Sequence, residues 1–374
     1  MRFAVVSALL LTCTGCGLFT QLHVEPLATS FQRPSNVAAY VAVTDADEPL
    51  TELSPSNFRV YENEQLVPGE LSRLTLLDRN VAAAHHALLL VDMSGAQSAE
   101  ARGSLAKAAL GFIQKISTQE PASVFAFDGS PNITPVGSVA RGGQLSSLPA
   151  LESFSVRDSS RNLNGAVVAA LAKLDSTLSQ TGRAIKVGTL VVFANGPDVA
   201  GRVSDDKLRD ALSASGYDVI AIGVAERADG IAELGRRGLI RSQSPDTLPI
   251  AFEEAAEKAQ SELEKHYLVA YCSPARAGSR RLRLQVVYTT KEGKEHTGDF
   301  ETDFDAKGFG AGCNPETPPH FTLKAKPAAK SEQEGTKAAG APAEQRPALT
   351  SDSKPADEAE DAPVAPPEKG GYAK

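Results

Sequence analysis

The chain has 374 residues and 42% of them are hydrophobic, enough to bury a sizeable core. Its 38 Lys and Arg against 46 Asp and Glu leave a net charge of −8, which argues against an electrostatic footprint for nucleic acid. Beyond the first residues no apolar stretch is long enough to span a membrane.

Met1-Arg2 is a short positive start, Phe3 to Leu11 is apolar except for Ser7, and Thr12-Cys13-Thr14-Gly15-Cys16 follows. This layout predicts a cleaved export signal over residues 1–15, too short for a permanent membrane helix. A cysteine behind a small residue resembles the lipobox of bacterial lipoproteins, in which the signal is cut before a cysteine that then carries lipid. The resemblance implies acylation of Cys16, with chains such as palmitate, and Cys13 behind Thr12 as the alternative acceptor. An ordinary signal cut slightly later, releasing a soluble protein, is the plainer reading. Gly17, rather than Asp, follows Cys16, and the resemblance then implies the outer membrane of a Gram-negative envelope. Cys272 and Cys313 remain, and an oxidising compartment lets such a pair close; two buried free thiols are the alternative.

Residues 16–36 are expected to be a linker. The short alternating stretches Val37–Val43, Phe58–Tyr61 and Leu71–Leu77 predict an N-terminal β region over 37–83. From 84 to 273 the pattern alternates between strand and helix. His86–Val91 is a continuous apolar run ended by Asp92-Met93-Ser94-Gly95, as expected of a central strand covered on both faces. Helical spacing over Ala99–Ile116 follows, then a strand at Ala122–Phe127 closed by Asp128-Gly129 and a helix over Asn164–Leu178. Val187–Phe193 is the third apolar strand, ended by Asn195-Gly196. A helix over Asp205–Ala214, a strand at Asp218–Val224, a helix over Ile250–Lys265 and a strand at His266–Tyr271 complete the series. Such alternation predicts an α/β domain, doubly wound and Rossmann-like, with a mostly parallel sheet and helices on both faces. Arg281–Tyr288 alternates strictly and is expected to pair with Thr297–Thr302 across Lys291–Lys294, a hairpin extension over 274–313 bracketed by the two cysteines. From 314 to 374 the chain is Ala, Pro, Lys, Glu and Asp with few large apolar residues, which predicts a disordered tail.

Ligands of parallel α/β sheets collect where loops leave the C-terminal strand ends. A strand ending Asp92-Met93-Ser94-Gly95 and leading into a helix resembles the first loop of von Willebrand factor type A domains, whose metal-ion-dependent adhesion site uses Asp-x-Ser-x-Ser there. The resemblance covers about residues 84–273. Val43-Thr44-Asp45, Pro49-Leu50, Leu53 and Phe58–Glu62 are also similar to the β region preceding the domain in a bacterial von Willebrand-related family. Against the family pattern, Asp92 and Ser94 match two ligands, while Ala96 stands at the second serine. Arg161-Asn-Leu-Asn-Gly-Ala166 is similar to Thr-x-Leu-x-x-Ala, putting Arg161 at the threonine, and Asn195 stands at the family's aspartate.

Mg²⁺ takes hard oxygen ligands, usually with carboxylate charge. Ala96 removes an oxygen, Asn195 removes a negative charge and Arg161 adds a fixed positive one, so no metal and no cofactor are expected. Two readings of Arg161 stay open: a guanidinium turned to solvent on a loop that has drifted, or one that occupies the space of the missing ion and pairs with Asp92. No catalytic residue is expected: Asp92 and Ala96 stand where a nucleophile elbow at Ser94 needs glycines, and His85 and His86 are read as preceding the strand, in an exposed position. The expected function is non-enzymatic binding of an unidentified envelope protein through the loops Asp92–Gln97, Asp128–Asn132, Ser159–Asn164 and Asn195–Ala200. A metal-dependent adhesin, and a structural lipoprotein whose rim binds nothing, are the two rival readings.

Overall fold

The computed structural model describes residues 22–95 and 98–322. The chain opens with β1 (Leu22–Gln32), β2 (Asn36–Asp45) and the two-residue β3 (Glu48–Pro49), then β4 (Phe58–Glu62) and β5 (Gln65–Leu66). One helical turn, α1 (Gly69–Ser72), leads to β6 (Thr75–Leu77). Then come β7 (Ala83–Asp92), α2 (Ala99–Ile116), β8 (Ala122–Phe127), β9 (Thr134–Val139), the short α3 (Pro149–Glu152), α4 (Leu163–Ser179) and β10 (Ile185–Ala194). The chain continues through α5 (Asp205–Ser215), β11 (Asp218–Val224), β12 (Leu239–Ser242) and α6 (Leu248–Glu264) to β13 (His266–Cys272), β14 (Ser279–Thr289) and β15 (Glu295–Asp305).

A six-stranded sheet runs in the order β12-β11-β10-β7-β8-β9, parallel except for β9, which pairs antiparallel with β8. All ten residues of β7 are buried, because its side chains alternate between two cores. Leu89 and Val91 pack with Phe112 of α2 and Phe252 of α6, while Leu88 and Leu90 pack with Val167 and Leu171 of α4 and Leu208 of α5. Local signals bound the helices. Ser98 caps α2 by accepting the Ala101 N–H (3.1 Å), and Glu100 and Lys115 sit at the ends that the helix dipole favours. Gly216, at φ +66°, ends α5 in the left-handed conformation that a side chain resists. Among the described residues no helix is long and apolar enough to cross a membrane.

The other two sheets are antiparallel and face each other. One has the order β1-β2-β13-β6 with β3 on β2, the other β15-β14-β4-β5. Val24, Val41, Tyr267 and Val269 of the first pack with Val60, Leu284 and Phe300 of the second. The opposite face of β2 and β13, carrying Ala38, Tyr40, Leu268 and Ala270, packs on Ala83, Ile185 and Val187 at the N-terminal ends of β7 and β10. The sandwich therefore closes the bottom of the parallel sheet and leaves its C-terminal rim free of it.

Five expectations change. His266–Tyr271 does not complete the parallel sheet; β13 pairs antiparallel with β2 and β6. An unbroken apolar run reports burial on both faces, and β13 has that, with Tyr267, Val269 and Tyr271 toward the sandwich core and Leu268 and Ala270 toward the seam. The stretch expected as a linker contains β1, whose alternation is broken by a register shift between Pro26 and Ala28. The β region over 37–83 and the hairpin over 274–313 are not separate additions, since β14 pairs with β4, Leu284 opposite Val60. His85 and His86 lie within β7 and are buried, satisfied by Tyr40 Oη (2.8 Å) and Ser123 Oγ (2.9 Å) respectively. Residues 314–322 are tied to the sandwich: the Asn36 amide donates to Asn314 O (2.9 Å) and the Ser30 hydroxyl to His320 O (2.8 Å). The rest of the expected tail, residues 323–374, and Cys16, the expected site of acylation, lie outside the described residues.

Candidate functional site

The rim is assembled around Asp92, the last residue of β7. A central strand that ends on a carboxylate delivers it where the flanking loops diverge, and here three loops close on it. Oδ1 accepts the Ser94 N–H (2.9 Å), holding the turn toward α2. Oδ2 accepts the Asn195 N–H (3.0 Å) from the loop after β10 and Nε–H of Arg161 (2.5 Å) from the loop before α4. The Asp92 side chain is fully buried and that of Arg161 is 14% exposed. A charge-assisted bond in so dry a place is stronger than a surface ion pair.

Arg161 also organises the neighbouring loop. Its Nη1 donates to Pro197 O (3.0 Å), and its own carbonyl accepts the N–H groups of Val199 (2.8 Å) and Ala200 (2.9 Å). Gly196 makes this approach possible: its φ is +124°, and a Cβ there would lie 3.2 Å from Arg161 Nη1. The Asn195 side chain is engaged elsewhere, its Oδ1 accepting from Arg227 Nη1 (3.4 Å). Ser94 is buried in the turn beside Asp92. Ala96, expected at the position of a missing oxygen ligand, and Gln97 after it lie outside the described residues.

A second carboxylate laces the rim further along. Asp128, just past β8, accepts the N–H groups of Ser130 (2.8 Å), Arg157 (2.8 Å) and Asp158 (3.3 Å). Burial alone would raise its pKa; the Ser130 bonds and the two further backbone donors outweigh it and hold the carboxyl below its ordinary range. Arg202 clasps this loop, Nε to Gly129 O (2.6 Å) and Nη2 to Asp158 Oδ2 (2.9 Å). Asp128-Gly129 is legible in sequence as the close of a strand. The Arg202 clasp is not, because it joins loops far apart in the chain and leaves no local pattern.

Of the residues singled out in sequence, Asp92, Ser94, Arg161 and Asn195 meet at the rim. Cys272 and Cys313 meet elsewhere, joined by a disulfide in the sandwich with their Cα atoms 5.8 Å apart. Among the described residues no group of three or more His, Cys, Asp or Glu side chains is placed to hold a metal ion. At the rim, Asp92 Oδ2 already receives a guanidinium and a backbone N–H, so the oxygen a cation would need faces donors instead.

No family model matches the chain, and no curated protein matches it. Among solved structures it is similar to a von Willebrand factor type A protein from Catenulispora acidiphila, with a TM-score of 0.38 and 10% identity over 76% of this chain and 73% of that one. It is also similar to proximal thread matrix protein 1 from the mussel byssus, with a TM-score of 0.33 and 13% identity over 52% of this chain and 49% of that one. A third likeness is to the PilB minor pilin from Streptococcus sanguinis, with a TM-score of 0.32 and 9% identity over 65% of this chain and 79% of that one.

Proposed function

We infer that this protein is a non-enzymatic binding module of the von Willebrand factor type A kind, doubly wound and lipid-anchored in the cell envelope. In this reading it presents its rim to a protein partner, and Arg161 takes the place of a lost metal ion. The observation that carries the reading is the Arg161 Nε–H bond to buried Asp92 Oδ2 (2.5 Å). Where an ion would gather the loops from outside, a covalently attached cation gathers them permanently, and the rim needs no metal to be ordered.

The residues present do not fit a divalent cation. At ~4 Å a guanidinium repels each unit of cation charge by about 4 kcal/mol at an effective dielectric of ~20, so a divalent ion meets roughly twice that. Asn195 brings no charge to offset the cost, and Ala96 brings no side-chain oxygen. Loop order without an ion suits a surface that binds continuously. Val199, 66% exposed on the rim loop that Arg161 holds, offers an apolar contact there.

Export is supported by the Cys272–Cys313 disulfide, a bond that persists in oxidising compartments. With Cys16 acylated, the chain from there to Leu22 reaches at most about 20 Å at ~3.5 Å per residue, so the module sits close to the bilayer. The test is a photocrosslinker, benzoylphenylalanine, placed at Val199 in intact cells. A discrete crosslinked partner is expected, unchanged in yield when EDTA is added. No crosslink from Val199 or from a second rim site at Asn132 would reject the binding reading, and a crosslink abolished by EDTA would reject metal independence.

A further inference from the structure

Beside Asp92 a cavity of about 280 Å³ opens between the start of α2 and the start of α6. Leu105, Phe193 and Leu248 form buried apolar walls, and Val224 adds a partly exposed one. Asp92 lies at its inner end, and the exposed residues Glu100 and Asp246 stand at its mouth. No Lys or Arg is among the described residues that line it.

The charge balance decides what such a cavity accepts. Arg161 cancels Asp92. The two helix starts contribute roughly half a positive charge each, opposing Glu100 and Asp246. The sum is about one surplus negative charge over apolar walls. Two arginines stand nearby and neither lines the cavity: Arg227 reaches Asn195 Oδ1, and Arg102, whose charge acts on Glu100, directs its Nε–H to Glu152 O (3.0 Å). An anion entering the cavity would meet carboxylates and no lining cation. An apolar group alone would leave the negative charge of the mouth without a cation in the cavity. A long aliphatic stem with a cationic end matches both parts, since such stems lie along apolar surface while the charged head stays at the polar edge.

We propose that this cavity takes an arginine or lysine side chain from a partner protein segment, stem against Leu105, Phe193 and Leu248, and head at Glu100 and Asp246. The inference rests on the rim being a protein-binding surface and names the chemistry of what docks there. It makes the surface selective for basic segments, the opposite of what a rim holding an exposed divalent ion would attract.

The test uses two side-chain mimics of similar length and opposite charge, n-butylguanidinium and n-pentanoate, titrated into the isotope-labelled mature protein and followed by NMR. Saturable shifts at the Leu105 and Leu248 methyl groups are expected with n-butylguanidinium and not with n-pentanoate. The Glu100→Gln/Asp246→Asn variant, shown to be folded by unchanged methyl signals away from the cavity, is expected to bind n-butylguanidinium up to about tenfold more weakly, the sum of two partly exposed ion pairs. Leu105→Trp, which fills the cavity, is expected to abolish the shifts at Leu248. Equal binding of the two mimics, or equal binding by wild type and the double variant, would overturn the inference. Failure here with a crosslink at Val199 intact leaves the binding module standing and removes only the basic-residue chemistry. Charge-selective binding here without any rim crosslink supports the cavity and rejects the module.

Discussion

Asp92 and Arg161 form a pair whose cost and benefit differ from those of a surface salt bridge. The carboxylate has no exposed area, so removing its partner leaves a buried charge with only two backbone donors. Arg161→Ala is therefore expected to destabilise the fold by about 3 kcal/mol, the lower end of the range for a broken buried pair because water reaches the vacated side. Urea unfolding measures this, and a loss below ~1 kcal/mol would mean that the pair does not hold the rim. Calorimetry with Mg²⁺ and Mn²⁺ tests the same residue from the other side. Wild type is expected to be silent, and Ala96→Ser/Arg161→Thr/Asn195→Asp is expected to bind, because it restores two oxygens and a carboxylate while removing the fixed cation.

Between elements, the link from α6 to β13 carries a buried network. Lys265, one residue before β13, has a side chain 4% exposed and donates from Nζ to Glu262 Oε2 (2.5 Å) and Asp218 Oδ2 (3.2 Å). Glu262 is 2% exposed, and Arg237 Nε bonds Asp218 Oδ1 (2.6 Å) to complete the network. Burial would raise the Asp218 pKa, but Lys265 and Arg237 outweigh it and keep the carboxyl below its usual range. This network pins the end of α6 to the start of β11, so the chain leaves the parallel sheet at a defined point and enters the sandwich as β13. Lys265→Ala is expected to cost about 3 kcal/mol in urea unfolding, since it leaves buried Glu262 with the longer contact to Arg237 Nε (3.5 Å) in place of its close partner. Lys265→Met/Glu262→Leu is expected to recover most of that loss, because it removes both charges together. If the double variant is no more stable than the single one, the network is not what sets the cost.

Where the sandwich meets the parallel sheet, pH acts on the stability of the entire fold. Tyr40 of β2 bonds His85 of β7 (2.8 Å), and the His266 ring stacks on Tyr40 at 5.8 Å. Burial, with a smaller push from His266, takes His85 down to about 3; burial and Lys265 take His266 down to about 4. His86, facing Ser123, is also lowered to about 4, by burial and then Lys173. A histidine with a depressed folded pKa contributes stability above its unfolded value of about 6.5, and that stability is lost as pH falls toward 4. Glu120, raised to about 8 by burial, works the other way, contributing most below its unfolded pKa of about 4.5 and losing the contribution as pH rises toward 8. Between pH 7 and pH 5 each histidine costs about 2 kcal/mol and Glu120 returns about 2–3 kcal/mol, a net loss of roughly 3 kcal/mol. Urea midpoints at the two pH values measure it. His86→Gln, which keeps a polar group toward Ser123, is expected to shrink the difference by about 2 kcal/mol. An unchanged difference would place the acid sensitivity elsewhere.

Local spacing along the chain suffices for the periodic core: the apolar runs at β7, β8, β10 and β11, the helices between them and the β14–β15 hairpin. It also marks Asp92 and Asn195, because each ends or follows an apolar run, whereas Arg161 is singled out only by the resemblance of its stretch to the von Willebrand pattern. Partnership is settled only by folding in three dimensions. β13 carries the same two-sided apolar signal as a parallel strand, and nothing local distinguishes β2 from β10 as its neighbour. His85 and His86 read as exposed because polar residues usually are, and they are buried because Tyr40 and Ser123, 45 and 37 residues away, supply their bonds. The same holds for the Arg202 clasp and for the cavity beside Asp92. Side-chain periodicity depends on neighbours a few residues apart, whereas strand partners, buried polar bonds and cavities depend on groups that are distant until the chain has folded.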